Sequence, residues 1–150
     1  DPTKTGLVIL PCTSKIGDKS SHKIFSWQQK YFSKICILWP NATFNIILAP
    51  TASMVVNSKS SNVLFDENLK WFIDAEWYFR LFFKSIKEKS QIIYFANSRI
   101  NSFQSGNSIT KSLKGKLKEQ INIERSYLNK KGLLPNKFCQ FVQYLSLMII

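Results

Sequence analysis

The segment 74–87 constrains the fold most, because its spacing predicts a helix that is apolar on most of its faces. Its apolar members are Ala75, Trp77, Tyr78, Phe79, Leu81, Phe82, Phe83 and Ile86. Such a helix is buried on more than one side, so the fold has to enclose it. Asp74 at its start is of the residue type that caps helices, and we expect it to serve as the N-cap.

The other elements follow from periodicity and from breaking residues. Strands are predicted at 7–10, 43–48, 53–56, 92–96 and 99–104, the last two joined by a tight turn at Asn97-Ser98. Loops are predicted at 12–23 and 57–62. Helices are predicted at 24–38, at 111–131 with Ser108 or Thr110 as cap and Gly132 as stop, and from Pro135 onward. This mixed order indicates a single α/β domain over 1–150, a mixed sheet covered by helices.

The charge is strongly basic, with 21 Lys and Arg against 9 Asp and Glu and a formal net charge of +12. Only Arg80, Arg99 and Arg125 are arginines, and the lysines are spread along the whole chain. Base recognition favours arginine forks, so specific nucleic-acid binding is not expected. Diffuse lysine is typical of a solvated surface, and it also suits an anionic membrane surface or a phosphate-bearing substrate.

Cysteine usage indicates a reducing compartment, because Cys12, Cys36 and Cys139 are far apart and form no CxxC pair. A zinc site is not expected with a single histidine. No apolar run reaches the length of a membrane span. We therefore expect a cytoplasmic protein, with peripheral attachment to the inner membrane as an alternative. Both ends look cut, and the apolar run 138–150 predicts a core helix or a membrane-docking one.

Four of the nine acids lie within 66–76, beside apolar residues. Glu76 and Arg80 are four residues apart with the acid first, which predicts an ion pair on one helix face. At the helix start, backbone amides and the helix dipole should favour the ionised form of Asp74. An ionised carboxylate at a cleft edge can accept a proton from a substrate hydroxyl.

Several short motifs follow one another in a fixed order. They are Pro50-Thr51, Phe65-Asp66-Glu67, Asp74-Ala75-Glu76 with Arg80, and the loop from Gln104 to Thr110 with Ser108 before a long helix. In this order they resemble the acceptor-side, C-terminal portion of a family 2 glycosyltransferase of the GT-A fold, over about 45–130. The resemblance implies a partial GT-A-like sheet. It further implies that the chain is the C-terminal part of a catalytic domain, with the donor-binding half and its Asp-x-Asp metal motif outside it.

The resemblance also implies inverting sugar transfer of the hexosyltransferase type, from a nucleotide-sugar to a hydroxyl of a sugar or lipid-linked acceptor. Asp74 would be the general base, with Glu76 and Arg80 as its supports. Trp71 or Trp77 would face a sugar ring. Gln104 and Ser108 would complete the substrate-binding set. The family usually employs Mg²⁺ or Mn²⁺, and no residue here is identified as its ligand.

Three other interpretations stay open at this stage. In the first interpretation, Asp74 is only a helix cap and Glu76–Arg80 is an ordinary ion pair, while the aromatic residues of 71–83 belong to the hydrophobic core. In the second, the chain is a non-catalytic basic module that binds nucleic acid or an acidic membrane surface. A third makes it a small structural domain without a ligand.

Overall fold

The structure, a computed structural model, describes residues 4–16, 20–23, 26–45, 53–58, 62–97, 100–103, 113 and 115–134. The strands are β1 (Thr5–Ile9), β2 (Cys12–Ile16), β3 (Ser20–Lys23), β4 (Met54–Val56), β5 (Gln91–Tyr94) and β6 (Ile100–Phe103). The helices are α1 (Ser26–Leu38), α2 (Ile73–Lys87) and α3 (Leu117–Lys130), with a short 3-10 helix at Pro40–Phe44. This mixture of helices and sheet confirms the predicted α/β class at the coarse level.

Two three-stranded sheets form, in the orders β4-β1-β5 and β3-β2-β6. β1 and β5 are parallel, as are β2 and β6, whereas β4 and β3 pair antiparallel at the edges. Pro11 lacks a backbone N–H and falls between β1 and β2. A hydrogen bond from the Phe95 amide to the Ile9 carbonyl (2.9 Å) lies at the end of the β1–β5 pair, and one from the Ile100 amide to the Pro11 carbonyl (2.8 Å) lies at the start of the β2–β6 pair.

The structure confirms most predicted elements and corrects four of them. Residues 12–23, predicted as a loop, contain β2 and β3, whose polar sequences lack the apolar alternation of a half-buried strand. β5 and β6 are not partners of each other, because each pairs with a strand near the start of the chain. Thr43 and Phe44 lie in the 3-10 helix, which begins at Pro40, rather than in a strand. Asn45 is the C-cap residue of that 3-10 helix, and residues 46–48 lie outside the described residues.

The fourth correction concerns α3, which begins at Leu117 rather than at residue 111. Gly115 has a φ of +88°, in the left-handed region, so the regular helix can start only after it. The predicted stop at Gly132 is confirmed, since α3 ends at Lys130 and Gly132 has a φ of +67°. The proposed caps Ser108 and Thr110, and the helix predicted from Pro135, lie outside the described residues.

Helix α2 lies between two hydrophobic clusters, which confirms its burial on more than one side. The first cluster, against β1, α1 and β4, is formed by Leu7, Ile9, Ile35, Cys36, Ala42, Met54, Tyr78, Leu81 and Phe82. The second cluster, against α3, is formed by Phe44, Leu69, Phe72 and Leu128. These two clusters fix α2 from opposite elements of the fold.

The direction of α2 decides which end of the sheet its first turn faces. Residues 88–90 connect α2 directly to β5, so the helix runs opposite to the parallel strands β1 and β5. Its last turn therefore lies beside the start of β1, where Gly6 approaches Ser85. Its first turn, which carries Asp74, lies toward the carboxyl ends of β1 and β5. In open α/β sheets, ligands bind outside this edge.

Candidate functional site

Asp74 is the second residue of α2, and its side chain is exposed to solvent. The N-cap residue is Phe72, which makes no side-chain capping hydrogen bond, so the prediction that Asp74 caps the helix is wrong. Among the residues that the structure describes, none forms a hydrogen bond with the Asp74 carboxylate. This carboxylate is therefore not committed to holding the first turn together.

The electrostatic surroundings of Asp74 also differ from expectation. Partial desolvation by neighbouring protein atoms raises the pKa of the Asp74 carboxyl, although the residue is accessible to solvent. We expected the helix dipole to favour the ionised form, whereas the pKa of Asp74 shifts in the opposite direction, and desolvation is the cause of that shift. Tyr78 lies one turn later. Burial is the main cause that raises the pKa of its hydroxyl, and the charges of Asp74 and Cys12 raise it further. Asp74 and Cys12, the first residue of β2, thus both lie near the buried Tyr78.

Glu76 and Arg80 form the predicted ion pair in a two-pronged arrangement. Arg80 Nε donates to Glu76 Oε1 and Arg80 Nη2 to Glu76 Oε2, each at 2.7 Å. Glu76 is buried, and Arg80 Nη2 also donates to the carbonyl of Leu64. A paired, double hydrogen bond of this type is the strong form of an Arg–carboxylate contact. The pair ties α2 to the segment that precedes it, while its role as a support for Asp74 stays a prediction.

The two tryptophans proposed to face a sugar have different surroundings. Trp77 stacks on Phe65 with ring centroids 4.9 Å apart, and its indole N–H donates to the Val63 carbonyl at 2.6 Å. These contacts commit Trp77 to packing the 63–65 segment onto α2. Trp71 is exposed, so its ring is accessible to a ligand. Gln104 and Ser108 lie outside the described residues.

The most connected acid of the region is Glu124 on α3, which the sequence analysis did not identify. Its side chain is buried, and its carboxylate accepts hydrogen bonds from three consecutive backbone amides. The distances are 2.8 Å from Lys70, 3.0 Å from Trp71 to each oxygen, and 2.8 Å from Phe72. Gln120, one turn earlier on α3, donates to Oε1 at 2.6 Å.

One sequence signal could have pointed to Glu124. Gln120, Glu124 and Leu128 recur every four residues and so share one face of α3, and Leu128 is fully buried. A carboxylate on the apolar side of a helix needs partners, because an unpaired buried charge is costly. The identity of those partners was not accessible from local sequence, since they lie 52 to 54 residues away.

Asp66 joins the loop before α2 to the end of α3. Its carboxylate accepts from Lys131 Nζ at 2.7 Å, from the Tyr127 hydroxyl at 2.8 Å and from the amide and side chain of Asn68 at 3.0 and 2.9 Å. Partial burial acts to raise the pKa of Asp66, but the hydrogen bonds from Lys131, Asn68 and Tyr127 outweigh it and hold this pKa well below its usual range. These hydrogen bonds tie the loop before α2 to Tyr127 and Lys131 at the end of α3.

No group of three or more His, Cys, Asp or Glu that could hold a metal ion occurs within the described ranges. The Mg²⁺ or Mn²⁺ implied by the resemblance thus has no fitting set of ligands among these residues. Cys12 and Cys36 are buried, and burial raises the pKa of the Cys36 thiol to about 12. Cys139 lies outside the described residues.

Comparison of the chain with protein-family models, with curated proteins and with solved structures finds no match in any of the three. Across the part of the chain that the structure describes, no helix is both long and apolar enough to cross a membrane.

Proposed function

We propose that this chain is the acceptor-side part of an inverting, GT-A-like glycosyltransferase, with Asp74 as its general base. The observation that carries the proposal is the state of Asp74. It is an exposed carboxylate of raised pKa, without a hydrogen-bond partner among the described residues, at the carboxyl-end edge of a parallel strand pair. Groups for proton transfer are found in such surroundings.

In the proposed step, the Asp74 carboxylate takes the proton of an acceptor hydroxyl. The acceptor oxygen then forms a bond to the anomeric carbon of a nucleotide-activated sugar. The bond from that carbon to the diphosphate breaks, and the nucleoside diphosphate leaves with the electron pair. Because attack and departure occur on opposite faces, the anomeric configuration inverts. A raised pKa makes the carboxylate a stronger base for this transfer.

Other features of the chain support the same proposal. The exposed Trp71, three residues before Asp74, offers a ring face, and carbohydrate rings stack well on such surfaces. The Glu76–Arg80 pair fixes the first two turns of α2 and leaves the Asp74 carboxylate accessible. The net charge of +12 favours approach of an anionic nucleotide-sugar or of a phosphate-linked acceptor.

The test is replacement of Asp74 by Asn in the full-length gene product that carries this chain. A panel of UDP-, GDP- and dTDP-sugars would be supplied with free sugars and alkyl glycosides as acceptors, in the presence of Mg²⁺ or Mn²⁺. Release of nucleoside diphosphate would be measured. We expect D74N to lower kcat about 100-fold or more, since a positioned general base contributes about 10²–10⁴-fold.

The matched control is Glu88→Gln, which makes the same chemical change at the exposed opposite end of α2. We expect E88Q to keep kcat within about twofold, in line with a surface residue outside the site. The proposal would be overturned if D74N kept its sugar transfer. It would also be overturned if the unmodified protein released nucleoside diphosphate from none of the donors.

The net charge favours one alternative, a non-catalytic basic module that binds an anionic partner. Binding to nucleic acid or to anionic lipid vesicles would then weaken steeply with salt. The same binding would be indifferent to D74N. Salt-dependent binding without sugar transfer would replace the first proposal by this one.

A further inference from the structure

Glu124 holds the backbone immediately before α2 by an unusually complete set of hydrogen bonds. The amides of Lys70, Trp71 and Phe72 all point to one carboxylate, and the Gln120 side chain donates to the same group. No buried side-chain nitrogen or oxygen within the described residues lacks a partner, so this buried charge is fully satisfied. A carboxylate can accept several such bonds at once, and bonds to a charged acceptor are stronger than neutral ones.

The bonds to Glu124 fix the point from which α2 starts. Phe72 is the N-cap residue, and its carbonyl accepts the Glu76 amide at 2.9 Å, the first turn of hydrogen bonding in the helix. Asp74 lies within that turn, two residues after the last amide held by Glu124. The direction of the first turn, and with it the position of the Asp74 carboxylate, therefore depends on where α3 holds residues 70–72.

We infer that Glu124 is a positioning residue for Asp74, acting through the backbone of residues 70–72. This inference rests on the proposed function for its effect on sugar transfer. Glu124 is buried and does not itself reach a substrate, so it is not a catalytic residue. Displacement of reacting groups by about 1 Å can cost about 100-fold in rate, which makes a distant anchor of this kind matter to catalysis.

The first test is Glu124→Gln in the full-length protein. Glutamine keeps one oxygen but replaces the other by an NH₂ group, which cannot accept from the backbone amides that Oε2 now serves. We expect kcat for transfer to fall about tenfold while KM for the nucleotide-sugar stays within about twofold. The control is Glu119→Gln, an exposed acid in the first turn of the same helix, for which both constants should stay unchanged.

The second test does not depend on transfer. The carboxyl carbon of Asp74 would be followed by ¹³C NMR as a function of pH, with D74N used to assign its resonance. We expect E124Q to move the titration midpoint of Asp74, because a displaced first turn changes the desolvation of that carboxyl. E119Q should leave the midpoint in place.

Should E124Q fail to fold, Gln120→Ala is the milder variant, because it removes only the amide donor and keeps the carboxylate on the three backbone amides. It should change kcat and the Asp74 midpoint in the same direction by a smaller amount. A folded E124Q or Q120A protein with unchanged kcat and an unchanged midpoint would overturn the inference. If D74N retains transfer, the proposed function falls, and the titration alone then decides whether Glu124 positions Asp74.

Discussion

The two ends of helix α2 are held by different means. At the first turn, polar groups at a distance do the holding, with the Glu124 carboxylate on three backbone amides and Arg80 on Glu76. At the last turn, contact is steric, because a Cβ at Gly6 would lie 2.8 Å from Ser85 Oγ and from Ser90 Cβ. The hydrogen bonds that hold the first turn leave the Asp74 side chain exposed to solvent, whereas the close packing at the last turn leaves no space for a side chain at Gly6.

This contrast shows where the protein can bind a ligand without loss of stability. Asp74 can remain exposed because the first turn does not depend on its side chain, whereas a Cβ at Gly6 would require Ser85 or Ser90 to move. Substitutions at the two ends should therefore separate function from stability. Their expected effects decrease in the order in which they follow.

The largest effect is expected for Glu124→Ala, which leaves three neighbouring backbone amides without their acceptor. Hydrogen bonds to a charged group contribute about 1.5–3 kcal/mol each, and unsatisfied buried donors are costly, so we expect a loss of about 3 kcal/mol in the free energy of unfolding. Urea denaturation measures it. The companion variant Asp74→Ala should change stability by less than about 0.5 kcal/mol. Equal losses in the free energy of unfolding of the two variants would contradict the proposal that Glu124 holds the first turn of α2 and that Asp74 does not.

A smaller loss is expected for Gly6→Ala at the other end of α2. The added methyl group would collide with Ser85 and with the Cβ of Ser90, and overpacking of this type costs about 1–3 kcal/mol. Thermal and urea unfolding give the value. Gly115→Ala is the control, since it meets no atom within 4 Å and costs only the strain of a positive φ, about 1–2 kcal/mol. If replacing Ser90 by Gly does not restore part of the stability lost in G6A, the steric explanation is wrong.

The smallest effect is a gain. Lys89, just after α2, has a φ of +53°, and its amide and that of Ser90 donate back to Ile86 and Ser85. Glycine occupies the same position after α3, where Gly132 has a φ of +67°. We expect Lys89→Gly to stabilise the protein by about 0.5–1 kcal/mol, because glycine adopts this conformation without a Cβ penalty.

The control for this gain is Lys87→Gly, two residues earlier and still inside the helix. There glycine should destabilise by about 0.5–1 kcal/mol through its poor helix propensity. Chemical denaturation measures the free energy of unfolding of the two proteins. A loss of stability in both variants would mean that the positive φ of Lys89 does not destabilise the protein.

What the sequence predicted was local, and what it missed was distant. The extent of α2 and the Glu76–Arg80 pair follow from spacing within one helix, and both are confirmed. β2 and β3 were missed because backbone pairing, and not an apolar pattern, holds these polar segments. The cap of α2 was wrong for a related reason: the group that holds its start comes from Glu124, more than fifty residues away. The proposed roles of Trp71, Gln104 and Ser108 stay predictions.

The raised pKa of Asp74 also has a thermodynamic consequence. In the unfolded chain an aspartate titrates near its ordinary value of about 3.9, so folding raises the affinity of this carboxyl for its proton. The resulting contribution to the free energy of unfolding is fully present at a pH below that ordinary value, and it is lost as the pH rises through the higher pKa of Asp74 in the folded protein. Asp66 has the opposite sign, since its lowered pKa stabilises the fold above the ordinary value and is lost as the pH falls through the folded one.

At neutral pH the ionised Asp74 therefore opposes folding slightly, while the ionised Asp66 favours it. A ligand hydroxyl that donates a hydrogen bond to Asp74 would relieve that opposition. Ligand binding would then raise the stability of the protein by more at neutral pH than at a pH below the pKa of this carboxyl, where it already carries its own proton.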